Sequence, residues 1–75
     1  MKYKALRNRF GKLIRKQEKG KTIKPKKVAK LHGKLLEKKS DFENRLQQDL
    51  APEKRKSVEI KLSVVNAHID KLKNL

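Results

Sequence analysis

The chain contains only two prolines, Pro25 and Pro52, and the stretches that they bound carry apolar residues at helical spacing. Inside a helix, proline lacks the N–H of the backbone ladder and clashes with the preceding turn, whereas its fixed φ suits the first turn. Both positions therefore read as helix starts, and they divide the 75 residues into three segments. We expect an all-α fold of three helices, at about 2–20, 25–50 and 52–74, in a single small domain covering 1–75. The turn near Leu50 to Pro52 is so short that it only reverses the chain, making helices two and three a long antiparallel hairpin. The shorter helix one, amphipathic and basic, packs against that hairpin.

In helix one, Tyr3, Leu6, Phe10, Leu13 and Ile14 form one apolar face. Gly11 weakens it by roughly 1 kcal/mol relative to alanine, and Gly20 stands where a left-handed cap would end it. With Pro25 as the first residue of helix two, Ile23 and Val28 hold the two positions of a hydrophobic staple. The apolar positions of helix two are Val28, Leu31, Leu35, Phe42, Leu46 and Leu50, with Lys38 or Lys39 in the one turn that lacks a hydrophobe. Ser40 and Glu43 have capping-box spacing, but no Gly or Pro supports a break, so helix two reads as continuous. Helix three carries two stripes: Val58, Leu62, Val65, Ile69 and Leu72, and a second of Ile60, Val64 and Ala67. A helix apolar on two sides has two neighbours. We expect helix one to cover the second stripe; the alternative is that Ile60, Val64 and Ala67 are a self-association seam and the chain is a homodimer.

A chain of this length buries only about 60% of the surface that its unfolded form exposes, so its core has little to spare. There is no cysteine to supplement it with a disulfide or a thiolate metal site. A mean hydropathy of −0.97 is low enough for disorder, but the apolar stripes argue for a folded chain. Arg7, Arg9, Lys12 and Arg15 interrupt any apolar stretch of a signal peptide, and no run approaches the roughly 20 apolar residues of a bilayer span. The chain reads as cytoplasmic.

Charge is the feature that speaks to function. The first 34 residues hold fourteen Lys and Arg and a single acid, Glu18, hence +13; the remainder holds nine basic and seven acidic residues, hence +2. Such a concentration is self-repulsive and is most simply explained by a polyanionic partner. Nucleic acid, RNA or DNA, is the first expectation, because each phosphate neutralised by Lys or Arg releases condensed counterions. The expected phosphate contacts are Lys4, Arg9, Lys12, Arg15, Lys16, Lys19, Lys21, Lys24, Lys26, Lys27, Lys30 and Lys34. Lysine outnumbers arginine 18 to 5, which favours point contacts with backbone over the bidentate fork that reads guanine edges. Weak sequence preference follows. A helix-turn-helix reader is disfavoured, since the helices are too long and the connections do not match. The rival partners are an acidic protein, bound by the chain as a helical interaction module or small regulator, and an anionic membrane surface engaged by helix one.

Nothing in the chain reads as catalytic or cofactor-binding. Gly20, Lys21 and Thr22 resemble the end of a phosphate-binding loop, but Arg15 stands where its first glycine belongs and no strand precedes it. His32 and His68 are the only imidazoles, and they sit at the margins of apolar faces, where partly buried structural histidines are common. A metal site or a pH-sensing pair is the alternative for them. Glu37, Asp41, Glu43 and Asp49 alternate with lysines and arginine on helix two as a solvated face. Tyr3, Phe10 and Phe42 fall on apolar faces rather than on a base-stacking platform. We therefore expect no enzyme, no cofactor and no metal.

A net charge of +15 on so small a body predicts that salt or a polyanion raises its thermal stability. Melting followed by circular dichroism from about 20 to 300 mM salt checks this, and a flat melting temperature would count against a clustered positive face.

Overall fold

The computed structural model describes residues 2–74 and is all-α: α1 covers Tyr3–Glu18, α2 Pro25–Leu46 and α3 Pro52–Lys73. The body is elongated, 44 × 20 × 18 Å, with the α2/α3 hairpin as its long axis. Helix α1 lies along α2, antiparallel to it, so that Tyr3 meets Phe42 with ring centroids 5.8 Å apart at a T-shaped 69°.

The helix ends follow from local chemistry. Gly20 has φ +73°, its N–H donates to the Gln17 carbonyl and the Lys21 N–H to the Lys16 carbonyl, both at 3.0 Å. This is the Schellman termination of α1, and it turns the chain toward α2. Lys24 and Ala51, each preceding a proline, are held extended at ψ 127° and 145°, and the helices start at Pro25 and Pro52. Ile23 and Val28 both pack against the core, as a staple requires.

Helix α2 is continuous through Ser40 but ends at Leu46 rather than near Leu50. The N–H groups of Gln47 and Gln48 bond the carbonyls three residues back, at 3.2 and 3.0 Å, tightening the last turn. Leu50, apolar and in phase with the helix, reaches the core from the connection instead. The extended conformation demanded before Pro52 and the need to reverse within a few residues outweigh one more helical turn.

The core consists of Leu6 and Leu13 from α1, Leu31, Leu35 and Phe42 from α2, and Val58, Val65, Ile69 and Leu72 from α3. Among the described residues no polar or charged one is fully buried. Lys38 and Lys39 are both half-buried, and the Lys38 ammonium lies 5.9 Å from the Phe42 ring, so lysine stems fill the turn without a hydrophobe.

One expectation fails. Helix α1 does not cover the second stripe of α3: Ile60 is 57% exposed, Ala67 is exposed and Val64 is half-buried. Instead α1 meets α3 along Lys61, whose ammonium is 5.7 Å from the Tyr3 ring, and His68, which stacks on Phe10. At 100° per residue those two positions lie about a quarter turn from Ile60, Val64 and Ala67. Seating Leu6 and Leu13 over the seam between α2 and α3 rotates α1 to the near edge of α3.

The three glycines carry opposite expectations. An added Cβ at Gly11 or Gly33 meets nothing within 4 Å, so alanine there should stabilise by about 0.5–1 kcal/mol through helix propensity. Gly20→Ala should cost about 1–2 kcal/mol because of the left-handed backbone. Thermal melts resolve this, since about 1 kcal/mol moves the midpoint by roughly 4–8 °C in a domain of this size.

Candidate nucleic-acid interface

Because α1 runs antiparallel to α2 and Gly20 closes the connection tightly, the basic flanks of the two helices face each other across a groove. Its volume is about 520 Å³. Arg9, Lys12 and Lys16 come from α1, Lys24 from the connection, and Lys27 and Lys30 from α2. The buried Leu13 and Leu31 and the half-buried Ile23 are its apolar lining, and Thr22 completes it. Six cationic side chains and no carboxylate line it. Two unit charges 10 Å apart in water repel by about 0.4 kcal/mol, so every such pair is a small cost that a bound anion would reverse. The start of α2 adds to the field, having neither an acid in its first turn nor a side-chain cap.

The structure sorts the twelve expected contacts. Arg9, Lys12, Lys16, Lys24, Lys27 and Lys30 share the groove. Lys4, Arg15, Lys19 and Lys26 are exposed and lie outside it. Lys34 is 3.9 Å from the Glu37 carboxylate one turn along α2 and is partly neutralised. Lys21 faces a second, more apolar groove with Ile23, Pro25, Val28, His32 and Leu72. Arg7 belongs to neither groove; its guanidinium is 5.7 Å from the Tyr3 ring, on the α3 side of α1. The apolar residues of the groove and Thr22 had no functional signal in the sequence, because they become lining only once the helices are paired.

The two histidines have different surroundings. His68 lies flat on Phe10, centroids 3.8 Å apart and planes 9° from parallel, and its Nδ1 is buried without a hydrogen-bond partner. Burial, and then the positive charge of Arg7, push its pKa below the ordinary 6.5. His32 lines the second groove, and its Nε2 is likewise buried without a partner. Among the described residues no group of three or more His, Asp or Glu is placed to hold a metal ion. No described helix is long and apolar enough to cross a membrane.

Comparison with protein families, with curated proteins and with solved structures found no match to the chain.

The lowered pKa of His68 has a definite sign. The unfolded imidazole takes up its proton near pH 6.5 while the folded one resists, so stability is full above that pH and is lost as pH falls below it. The melting temperature should therefore drop between about pH 7 and 5.5, and His68→Phe should reduce the drop. An unchanged pH slope in that variant would show that His68 is not its source.

Proposed function

We propose that the chain is a non-enzymatic nucleic-acid-binding protein that grips the phosphate backbone in the α1/α2 groove, with little preference for sequence. The observation that carries this reading is the gathering of six cations, with no acid among them, around one groove. An evenly charged surface would serve solubility equally well and normally mixes both signs. The groove is mostly lysine, suited to sequence-independent contact with phosphate, and the aromatic rings are engaged elsewhere: Tyr3 against Phe42 and Phe10 against His68. The apolar face of α1 is occupied by the hairpin, through Leu6 and Leu13, which argues against helix one as a membrane-surface anchor.

If the six groove cations each neutralise one phosphate, log K on duplex DNA should fall against log salt with a slope of about −5. Changing Lys12, Lys16, Lys27 and Lys30 together to glutamine should reduce the slope to about −2 and weaken binding at low salt. The matched control, Lys4, Arg15, Lys19 and Lys26 to glutamine, removes the same charge from the same half of the chain but leaves the groove intact, and should alter the slope far less. Fluorescence anisotropy on a duplex and an RNA hairpin measures both. Equal losses in the two variants would show that the groove is not the interface. Absence of binding at low salt by the parent protein would move the acidic-protein reading to first place.

A further inference from the structure

We propose that α3 is the contact between two copies of the chain, paired antiparallel through the stripe that α1 leaves open. The stripe is longer than its apolar centre. Glu53, Ser57, Ile60, Val64, Ala67 and Lys71 follow one another at alternating intervals of four and three, the spacing of a coiled-coil seam, on the side of α3 away from the buried core positions. Ile60 at its centre is 57% exposed, the most exposed large hydrophobe among the described residues.

Charge decides both the occupant and its direction. With two copies antiparallel about the level of residue 62, Ile60 faces Val64 of the other copy, Ser57 faces Ala67, and Glu53 faces Lys71. Each contact occurs twice under the twofold axis, as in any isologous interface. Opposite charges thus close both ends of an apolar centre, and the small Ser57 and Ala67 allow close approach. Parallel pairing would set Glu53 against Glu53 and Lys71 against Lys71. On the flank away from α1, Lys56 and Asp70 come opposite each other in the same register. Among the described residues the one ion pair is Lys34 with Glu37, and neither Glu53 nor Lys71 is paired with another described side chain. The contact also lies in the part of the sequence that carries only nine basic against seven acidic residues, which keeps the basic first halves of the two copies apart. A second helix fits there, since α1 touches α3 a quarter turn away and packed helices need only about 8–10 Å between axes.

The seam is short, so the expected dimer is weak, and because each copy carries +15 it should strengthen with salt while nucleic-acid binding weakens. Sedimentation equilibrium from about 10 µM to 1 mM protein in roughly 0.3 M salt should show the mass rising from 8.8 kDa toward twice that value, and rising less at about 0.05 M. Ile60→Asp should remain monomeric with unchanged helix content, because the side chain is exposed in the single copy. Glu53→Lys and Lys71→Glu should each weaken the dimer by about tenfold, and the double exchange should restore it to within about threefold. Lys71→Glu is the sharper of the two, since it lowers the net charge and would strengthen any dimer limited by general repulsion. A mass that stays at 8.8 kDa, or an Ile60→Asp variant that associates like the parent, overturns the seam. A double exchange as weak as its single components overturns the antiparallel register.

Discussion

The rest of the surface depends on helix α1 staying docked. Each leucine side chain taken fully out of water contributes roughly 1.5–3 kcal/mol, and Leu6 and Leu13, both buried, seat the helix over the hairpin together with the Phe10–His68 stack. Against that attraction stands the repulsion between the basic flanks of α1 and α2, which face each other only because the helix is in place. The groove is therefore a strained element in the electrostatic sense, and whatever neutralises it also holds the helix down. An anion bound there would be linked to stability through the same six side chains.

Much of the fold was legible because its punctuation is local. Pro25, Pro52 and Gly20 act through φ, and the stripes of Leu31, Leu35 and Phe42 and of Val58, Val65 and Ile69 need only the helical period. The end of α2 was not legible, since Leu50 continues the apolar phase and only the geometry of the return shows that its side chain arrives from the connection. Nor was the rotation of α1. Whether it faces Ile60 or Lys61 depends on where Leu6 and Leu13 seat between two other helices, a tertiary choice that a single helical wheel does not contain.

The same limit applies to the candidate site. Composition marks the first 34 residues as basic but treats Lys12 and Arg15 alike. In the fold Lys12 lines the groove and Arg15 does not: Arg15 is turned only about 60° from Lys12 on the wheel, but away from Arg9 and Lys16, a rotation that matters only once α2 occupies one flank. Lys34 would have been set apart by its neighbour Glu37 alone, three residues on, as an ion pair within α2.

The groove occupies one end of an elongated body, where α1 finishes and α2 begins; the other end is the turn carrying Asp49 and the start of α3 with Glu53. A single copy is accordingly polar along its length and, on the proposed reading, would engage a polyanion from one end, with a footprint set by its 20 Å width rather than its 44 Å length. An antiparallel pair joined along α3 would point its two basic ends in opposite directions. Such a particle is a crosslinker: it would draw two strands together rather than coat one, and would turn a weak contact between proteins into compaction of the polymer to which both are bound.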